Sequence, residues 1–501
     1  MSTYVNEKLK KFNNDIKDKR IAIIGMGVSN KPLIDYFYNH GAKVTAFDNR
    51  DKEKIDSDII AKLDNYNMNY YFGENSLEHL IGFDYIFRAP SCRPDTPEIV
   101  KEVERGAILT SEIEKVLELA PCKVVGVTGS DGKTTTTTLI YKILEANGYH
   151  CFLGGNIGTP LFTEIENMKP EDIVVLELSS FQLMNMKISP QIAVVTNIAP
   201  NHLNVHKDYQ EYIDSKKNIF LHQNEQGLLV INKDNEITKE FYKEAKGKVR
   251  FFSSREVLDD GVIFDRNDSI IKVCEDGVRK HFVKKENIKL RGVHNCENAC
   301  AAISATLELC KEDTTRKTIE NFPGVEHRIE YIRTINGVEW YNDSIGTSPS
   351  RTIAGLNSFD EKIVLIAGGY DKHLDYEPIA KPIIQNVSKL ILVGQTSEKI
   401  QNAVLEEEKK EGKSIPIYRC NTLEETIQKA KEVAIEGEVV LFSPASASFD
   451  MFKNFEERGN KFKELVNRIW KFEKSANICS RAFQVSADDF GAERNVRALS
   501  E

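Results

Sequence analysis

The sequence predicts an α/β protein of three domains built on mostly parallel sheets, and three observations lead to this class. The chain has 501 residues, a length that corresponds to about three domains. Short apolar strands alternate with helical segments from residue 20 onward. A glycine-rich turn within residues 123–138 joins a strand to a helix and has the sequence of a phosphate-binding loop.

The composition is that of an ordinary globular protein, with 41% hydrophobic residues, 29% charged residues and a net charge of −9. No strongly basic segment is present, so we expect no nucleic-acid partner. The N-terminus lacks an apolar signal core, and no stretch approaches the roughly 18 apolar residues of a membrane span. We therefore expect a cytoplasmic protein without membrane insertion, and we expect it to be a monomer.

The first segment, residues 1–119, predicts a parallel sheet. Buried strands are expected at Arg20–Gly25, Val44–Phe47 and Tyr85–Phe87, with helices between them. An acidic helix at Ser111–Leu119 precedes the phosphate loop, and we place the first domain boundary at its end.

A partial dinucleotide fingerprint follows the first strand. Gly25 and Gly27 are in place, and Asp48 comes 21 residues after Gly27, but Asn30 occupies the position of the third glycine. Three interpretations stay open, in order of preference. They are a nucleotide-diphosphate site that does not bind NAD, a plain Rossmann-like turn, and an NAD site.

The second segment, residues 120–322, carries further buried strands at Ile173–Leu178, Ile192–Thr196 and Leu228–Ile231. Residues 249–284 differ, because short alternating runs are broken by Asp-Gly and Asn-Asp pairs. This pattern predicts antiparallel hairpins, and hence a small antiparallel sheet beside the parallel one.

The third segment, residues 323–474, repeats the α/β alternation. Strands are expected at Val338–Tyr341, Ile363–Ile366, Leu390–Val393 and Val439–Phe442. From residue 475 the pattern decays, and we interpret residues 475–501 as a weakly ordered tail without an assigned role.

The phosphate loop carries the strongest functional signal. Gly129 and Gly132 allow several backbone N–H groups to point at one anion, and the following helix adds its dipole. Lys133 can neutralise the β- and γ-phosphates of a nucleotide, and the Thr134 hydroxyl can hold Mg²⁺. The run departs from the strict Walker pattern because Val127 stands where that pattern has glycine.

Two further sites follow strands of the second segment. Glu177 closes an apolar strand, so it is either a Mg²⁺ ligand or a carboxylate tied to a neighbouring turn. His202 and His206 have a spacing that zinc sites use on helices, but Pro200 indicates a loop. We therefore interpret His202 as a contact of the Mg²⁺ site or of phosphate, and His206 as a surface residue.

Other polar residues have no assigned role from the residues alone. Lys216 and Lys217 form a pair that ordinarily lies on a solvated helix surface. In the third segment polar residues follow strand ends, where α/β proteins bind ligands, although each can also be a cap or turn residue. They are Asp343, Ser344, Lys372 and Ser448.

Eight ordered motifs resemble the Mur ligase family over about residues 20–472, including T-G-[ST]-N-G-K-[ST]-T at the phosphate loop with Asp131 in the Asn position. They lie at Thr128–Thr135, Gly155–Gly158, Glu177–Leu183, Asn197–His206, His294–Asn298, Pro323–Arg328, Asn342–Ser344 and Ser443–Gly459. The resemblance is strongest to the branch that joins D-glutamate to UDP-N-acetylmuramoyl-L-alanine in peptidoglycan precursor synthesis.

The resemblance implies a Rossmann-like N-terminal domain for the UDP-sugar, a central P-loop ATPase, and a Rossmann-like C-terminal domain for the amino acid. It also implies a reaction in which ATP phosphorylates the terminal carboxylate of the substrate. The amine of D-glutamate then attacks the acyl phosphate, and a tetrahedral intermediate releases phosphate. Mg²⁺ at two sites is implied as well.

The resemblance also implies roles for individual residues. As catalytic residues it implies Lys133, Glu177, His202 and Lys216, and as metal ligands it implies Thr134, Glu177, His202 and Lys216 as a carbamate. For ATP it implies Gly129, Ser130, Asp131, Gly132, Lys133, Thr134, Thr135, Asn295, Arg328 and Asp343. For the UDP-sugar it implies Gly27, Val28, Ser29, Asp48, Asn49, Arg50, Pro90, Asn156 and Ser179. For D-glutamate it implies Thr347, Lys372, Ser448 and Phe455.

The chain departs from the family pattern in two places. Ile345 stands where many members have lysine, which removes one possible contact to a carboxylate of D-glutamate. Ala89-Pro90-Ser91 replaces the usual S-P-G at the UDP-sugar loop. Two alternatives stay open: another ATP-dependent amide ligase of the same kind, and a nucleotide-binding regulator without turnover.

Overall fold

A computed structural model describes residues 4–200, 205–372 and 374–469. The chain divides into two compact units, with the boundary between Phe322 and Pro323. The first unit contains two sheets and the second unit contains one, and helices flank mostly parallel strands in each. The predicted α/β class is therefore confirmed. Within the described ranges, no helix is both long and apolar enough to cross a membrane.

The N-terminal sheet has five parallel strands in the order β3-β2-β1-β4-β5. The strands are β1 Arg20–Ile24, β2 Lys43–Asp48, β3 Asn69–Phe72, β4 Tyr85–Arg88 and β5 Ile108–Thr110. The helices are α1 Glu7–Asp15, α2 Lys31–Asn39, α3 Ser57–Asn65, α4 Pro97–Glu104 and α5 Glu112–Leu119, with short 3-10 helices at Lys52–Lys54 and Ser76–His79. Because the strand order reverses between β1 and β4, the loops that follow these two strands flank the position where such sheets bind ligands.

The central sheet has nine strands in the order β14-β13-β12-β11-β10-β9-β6-β8-β7. The strands are β6 Lys123–Thr128, β7 Cys151–Gly155, β8 Ile173–Glu177, β9 Ile192–Val195, β10 Leu228–Asn232, β11 Lys248–Ser253, β12 Gly261–Asp265, β13 Ile270–Glu275 and β14 Val278–Lys284. The helices are α6 Lys133–Ala146, α7 Ser180–Leu183, α8 Tyr209–Lys217, α9 Val293–Thr306 and α10 Glu312–Asn321, with 3-10 helices at Phe162–Asn167, Thr238–Lys243 and Lys285–Asn287.

The antiparallel strands continue the central sheet at one edge. β12, β13 and β14 pair antiparallel to one another, as the Asp-Gly and Asn-Asp turns predict. β11 differs from the prediction, because it pairs parallel with β10 on one side and with β12 on the other. One strand of the expected hairpin region therefore belongs to the parallel part of the sheet.

One hydrophobic core joins the two sheets of the first unit. Phe162, which begins a 3-10 helix of the central part, lies within 6.3 Å (ring centroids) of Phe12, Tyr36, Phe37 and Phe87 from the N-terminal part. Burial of such rings contributes roughly 1.5–3 kcal/mol each. This aromatic cluster explains why the two parts form one compact unit.

The C-terminal unit has a six-stranded sheet in the order β15-β16-β20-β17-β18-β19, parallel except for β15. The strands are β15 Glu330–Ile335, β16 Val338–Asn342, β17 Ile363–Ala367, β18 Val387–Val393, β19 Ile417–Cys420 and β20 Val439–Phe442. The helices are α11 Pro349–Leu356, α12 Glu377–Asn386, α13 Ser397–Glu411 and α14 Leu423–Val433, and residues 455–469 are also helical. The predicted tail at 475–501 lies outside the described residues.

Candidate active site

The phosphate loop occupies the turn between β6 and α6, and two of its positions require glycine. Gly129 has φ +149° and Gly132 has φ +78°. A Cβ on Gly129 would lie 1.9 Å from Thr196 Oγ1, and a Cβ on Gly132 would lie 2.3 Å from Asn298 Oδ1. Both distances are far below contact range, so the segment just after β9 and helix α9 pack directly against the loop backbone and hold its shape.

The segment after β9 holds the phosphate loop through hydrogen bonds that the sequence analysis did not predict. The Asp131 N–H donates to Asn197 Oδ1 at 2.9 Å, and the Thr196 hydroxyl donates to the Asp131 carbonyl at 2.5 Å. The buried Ser130 hydroxyl donates to the Ala199 carbonyl at 2.9 Å, so it is engaged within the protein. Asn197 is the first residue of one of the family motifs, and this position was the only feature of the sequence analysis that pointed to a role for it.

Lys133 is the first residue of α6, and its side chain turns back over the loop. Its ammonium group donates to the carbonyls of Gly129 and Ser130, both at 2.9 Å. Thr134 follows in the first turn of α6 and is half-buried, whereas Thr135 is buried. The loop therefore combines a helix N-terminus with a lysine cation, which is the chemistry of a phosphate site.

Lys216 lies beside the same loop although it comes from α8. Its side chain is only 1% exposed. The amine donates to the Gly129 carbonyl at 2.8 Å and to Thr128 Oγ1 at 3.2 Å, and it lies 4.9 Å from the centre of the Tyr212 ring. The structure thus brings Lys216 and Lys133 to one carbonyl group of the phosphate loop.

Burial lowers the pKa of Lys216 well below its usual value. The charge of Lys133 acts in the same direction, and the charges of Glu177 and Asp131 oppose it. A lysine in these surroundings favours its neutral amine. Lys217 differs, because it pairs with Glu244 at 2.6 Å on the partly exposed face of α8.

Glu177 ends β8 and has one unsatisfied oxygen. The residue is 1% exposed, and its Oε1 accepts a hydrogen bond of 2.7 Å from the Asn156 amide. Its Oε2 is buried without a hydrogen-bond partner among the described residues. An ionised buried carboxylate needs a cation or donors, so this oxygen fits a metal ligand. No group of three or more His, Cys, Asp or Glu suited to a metal ion occurs in the part of the chain that the structure describes.

The predictions for the two histidines after β9 compare differently with the structure. His202 lies outside the described residues. The prediction that His206 is a surface residue is wrong, because it is only 3% exposed. Its ring stacks on Phe181 at 5.3 Å, its Nε2 lies 2.9 Å from Ser180 Oγ, and burial lowers its pKa. The polar sequence around it does not show that helix α7 covers the ring.

The loop after β1 contains exposed residues and lies beside the buried carboxylate of Asp48. Asp48 accepts hydrogen bonds from the Met26 N–H at 2.7 Å and from the Arg50 side chain at 2.8 Å. Burial alone would raise the pKa of Asp48, but the hydrogen bonds from Arg50 and Met26 outweigh it and lower the pKa. Gly27 and Val28 are exposed. Ser29 is half-buried, and Asn49 is exposed.

Asn30 explains how this loop closes without a third glycine. It is 1% exposed, and its amide donates to the carbonyls of Ile24 and Gly25 at 3.0 and 3.1 Å. At Gly25, with φ +89°, a Cβ would lie 2.6 Å from the Ala89 side chain, so β1 and the loop after β4 are in close contact there. Pro90, half-buried, follows that contact.

Two other residues predicted for the UDP-sugar have partners within the protein. Ser179 is the N-cap of α7, and its hydroxyl accepts from the Gln182 N–H at 3.3 Å and donates to Gln182 Oε1 at 3.1 Å. Asn156 is exposed but donates its amide to Glu177. In addition, the buried Arg88 donates to the Phe181 carbonyl at 2.9 Å, which ties the end of β4 to α7.

Helix α9 starts beside the phosphate loop. Asn295 donates its amide to the Arg291 carbonyl at 2.7 Å and accepts from the Asn298 amide at 3.0 Å. Asn298 Oδ1 in turn accepts from Thr136 Oγ1 at 3.3 Å. The sequence assigned a role to Asn295 alone, whereas Asn298 is the residue that contacts the loop and α6.

In the C-terminal unit, Asp343 follows β16 and is 4% exposed. Its Oδ2 accepts from the Ser443 hydroxyl at 2.6 Å, and its Oδ1 accepts from the Ile329 N–H at 3.3 Å. Burial raises the pKa of Asp343 to about 6, although the Ser443 hydrogen bond and the charge of Arg328 act in the opposite direction. Ser443 was not assigned, yet it is the residue that orients Asp343.

Ser344 is engaged in the structure of this unit. Its hydroxyl donates to the Phe455 carbonyl at 2.8 Å and accepts from Arg458 Nε at 3.0 Å. Arg458 is 2% exposed and also donates to the carbonyls of Ser446 and Ala447 at 3.1 and 2.9 Å. Arg458 therefore fixes the loop after β20, a role that the sequence analysis did not assign.

The residues predicted for D-glutamate lie in loops of the C-terminal unit. Lys372 is exposed, with its ammonium 5.4 Å from the Phe449 ring. Ser448 is 2% exposed. Phe455 and Thr347 are half-buried. These residues offer one cation and two hydroxyl groups for an acidic ligand.

The fold and the site define a nucleotide-binding α/β protein in which a buried lysine and a buried carboxylate accompany a phosphate loop. Three family models match the chain: "Mur ligase MurD-like, N-terminal domain" at residues 19–111, "Mur ligase middle domain" at 127–306, and "Mur ligase, glutamate ligase domain" at 327–446. The UDP-N-acetylmuramoylalanine--D-glutamate ligase of Acetivibrio thermocellus is 50% identical over 467 residues, which cover 93% of this chain and 100% of that protein. The enzyme of the same name from Clostridium botulinum is 50% identical over 465 residues, with the same coverage. The chain belongs to the Mur ligase family.

Solved structures have the same fold. UDP-N-acetylmuramate-alanine ligase MurC from Thermotoga maritima matches with a TM-score of 0.53 at 20% identity, covering 91% of this chain and 100% of that one. MurF from Acinetobacter baumannii matches with a TM-score of 0.55 at 16% identity, covering 92% and 99%. At these identities the likeness concerns the fold alone.

Proposed function

We propose that this protein joins D-glutamate to UDP-N-acetylmuramoyl-L-alanine at the expense of ATP, in peptidoglycan precursor synthesis. The observation that carries the proposal is the relatedness to ligases of that name, which are about 50% identical and match along their whole length. Because the reaction uses ATP, we also propose that it takes place in the cytoplasm. We propose in addition that the protein acts as a monomer. The domains would span residues 1–119, 120–322 and 323–474.

In the proposed reaction, the phosphate loop binds ATP through its backbone N–H groups and the Lys133 ammonium. That ammonium contacts two loop carbonyls, and we propose that it exchanges them for phosphate oxygens. We further propose that Gly129–Thr135 and Asn295 contact the phosphates and that Arg328 and Asp343 contact the adenine and the ribose. The terminal carboxylate of the UDP-sugar substrate attacks the γ-phosphorus of ATP, the bond from that phosphorus to the β,γ-bridging oxygen breaks, and ADP leaves as the acyl phosphate forms.

We propose that two Mg²⁺ ions assist, held by Thr134, Glu177, His202 and Lys216. Bound Mg²⁺ would offset negative charge on the two anionic reactants. Two features support this donor set: the unsatisfied Glu177 Oε2, and the surroundings that favour a neutral Lys216 amine. A neutral lysine amine can add CO₂ and become a carbamate, which supplies the oxygen ligand that Mg²⁺ prefers.

The remaining sites are proposed from the same resemblance. We assign the UDP-sugar to the loops after β1, β2 and β4 with the residues at Asn156 and Ser179, because strand order reverses between β1 and β4. We assign D-glutamate to Thr347, Lys372, Ser448 and Phe455. The amine of D-glutamate would attack the acyl carbon, and phosphate would leave.

The experiment that tests the acceptor is phosphate release with ATP and UDP-N-acetylmuramoyl-L-alanine while the amino acid is varied. We expect D-glutamate to be strongly preferred over L-glutamate, D-alanine and L-lysine, despite Ile345. A preference for another amino acid would make the protein a different amide ligase of the same family. ATP turnover without any of these acceptors would contradict the ligase assignment.

A further inference from the structure

A network of ion pairs connects the loop after β4 with helix α8. Arg93, three residues after Pro90, donates from Nη2 to Glu211 Oε1 at 2.7 Å and from Nη1 to Glu211 Oε2 at 3.2 Å. Its Nη1 also donates to the Val205 carbonyl at 2.8 Å, and its Nε donates to Asp95 at 2.8 Å. One guanidinium thus contacts a carboxylate of α8, a backbone carbonyl before that helix, and its own loop.

Glu211 lies in the first turn of α8 and, besides Arg93, contacts Lys207 and His206. Its Oε2 accepts from the Lys207 N–H at 2.8 Å and lies 3.4 Å from His206 Nδ1. The other ring nitrogen of His206 lies 2.9 Å from Ser180 Oγ. Arg93 is the main reason that the pKa of Glu211 is lowered to about 2, so this carboxylate stays ionised. Hydrogen bonds therefore join Arg93 to Glu211 and His206 to Ser180, and a 3.4 Å approach of Glu211 Oε2 to His206 Nδ1, which is not a hydrogen bond, connects the two pairs.

Glu211 and Ser180 place these contacts on two elements of the proposed active site. Helix α8 carries Lys216, which contacts the phosphate loop. Ser180 is the first residue of α7, which begins just after Glu177 and its strand. Arg93 itself has no assigned contact with a substrate. Its position in the loop after β4 links the proposed UDP-sugar side of the first unit with the proposed phosphoryl-transfer side.

We propose that Arg93 is a positioning residue: through Glu211 and His206 it sets α8, and hence Lys216, against the turn after Glu177. This inference rests on the proposed function, because the effect is expected in the ligation reaction. The planar guanidinium is needed, since it bridges the Glu211 carboxylate and the Val205 carbonyl at the same time, whereas an ammonium is a point charge. Arg93 and Glu211 are only about a quarter exposed (26% and 23%), so their two-bonded ion pair is largely shielded from solvent and fixes the loop after β4 against α8.

The test compares Arg93→Ala, Arg93→Lys and Glu211→Gln with the wild type. We expect Arg93→Ala to lower kcat by about 10- to 100-fold, because small displacements of catalytic groups have effects of that size. The Kd for ATP alone should remain close to that of the wild type, even if the melting temperature falls. Arg93→Lys should recover part of kcat, and Arg93→Ala combined with Glu211→Gln should be no slower than the worse single variant.

Arg250→Ala is the matched control. Arg250 also donates to one carbonyl and one carboxylate, Ser304 and Glu308, each at 2.7 Å, but near the C-terminal end of α9. We expect its kcat to equal that of the wild type even if its melting temperature falls.

An Arg93→Ala variant with unchanged kcat would overturn the positioning role. So would a kcat loss that is matched by Arg250→Ala, or additive effects of Arg93→Ala and Glu211→Gln. If Arg93→Ala does not fold, the same criteria apply to Arg93→Lys. Failure of the wild-type protein to ligate would instead overturn the proposed function, so the two failures are distinguishable.

Discussion

Replacing Glu112 by glutamine tests the effect of a buried carboxyl group on the stability of the first unit. Glu112 begins α5, is 6% exposed, and its Oε1 accepts the N–H groups of Leu161 and Phe162, both at 2.9 Å. It therefore holds the start of the 3-10 helix whose Phe162 joins the two sheets. Glutamine keeps an oxygen acceptor at this position and carries no charge at any pH.

The magnitude follows from the pKa. Burial raises the pKa of Glu112 from 4.5 to about 7, against the two backbone hydrogen bonds. The folded state therefore binds more protons than the unfolded state between these two values. The stabilising contribution is complete below about pH 4.5 and is lost as the pH rises toward 7, which corresponds to about 3 kcal/mol. The free energy of unfolding of Glu112→Gln, measured relative to that of the wild type, should therefore rise by about 3 kcal/mol between pH 4.5 and pH 8.

The assay is urea denaturation of both proteins at several pH values from 5 to 8. We expect the difference in the free energy of unfolding to grow steadily in favour of Glu112→Gln. Glu118→Gln is the control, because Glu118 lies on the same helix, is 43% exposed and pairs with Lys115. Its effect on the free energy of unfolding should be small, because the pair is partly exposed. A Glu112→Gln effect that is equal at pH 5 and pH 8 would refute the reasoning.

Three further predictions concern the phosphate loop and its neighbours. Lys133→Ala should abolish ligation in a folded protein, since one charge-assisted contact is worth roughly 1.5–3 kcal/mol before any effect on the transition state; ligation near the wild-type rate would contradict the loop assignment. Lys216→Ala should lose most activity and regain part of it with an added short carboxylic acid, whereas Lys217→Ala should be mild; the reverse order of damage would exclude the carbamate at Lys216. Gly132→Ala should weaken ATP binding measured by calorimetry, because its Cβ would lie 2.3 Å from an amide oxygen of α9, whereas Gly148→Ala, with open space around its Cβ, should not; equal affinities of the two variants would contradict this.

The phosphate loop was predictable because its signal is local. Strand, glycines, lysine and helix follow one another in the chain, and the structure has them in that order from β6 to α6. The residues that hold the loop were not predictable in the same way. Thr196 contacts it from the segment just after β9 and Asn298 contacts it from α9, and their roles depend on tertiary packing that no local pattern encodes.

His206 shows the converse error. Pro200 and polar neighbours indicate a loop, and loops ordinarily lie on the surface. The burial of His206 comes from Phe181, on a different element, and Arg88 fastens the carbonyl of that residue from the N-terminal sheet. Burial that arises from distant parts of the chain cannot be read from the spacing of two histidines.

The sequence analysis also did not predict several strands at the edges of the sheets. β3, β5 and β19 have four, three and four residues and lie at sheet edges, with no residue run that is buried throughout. Their sequences therefore lack the continuous apolar pattern by which the central strands were found. The more deeply buried strands β1, β8, β17 and β20 were predicted to within one residue at each end.

The central claim is that this protein forms an amide bond between D-glutamate and a UDP-sugar peptide with ATP. The most direct test incubates the protein with all three substrates and with each one omitted, while phosphate release and product mass are measured together. The account predicts a product heavier than UDP-N-acetylmuramoyl-L-alanine by one glutamyl residue, with one phosphate per product and neither formed in any omission. Phosphate release without D-glutamate, or a complete mixture that yields no such product, would contradict it.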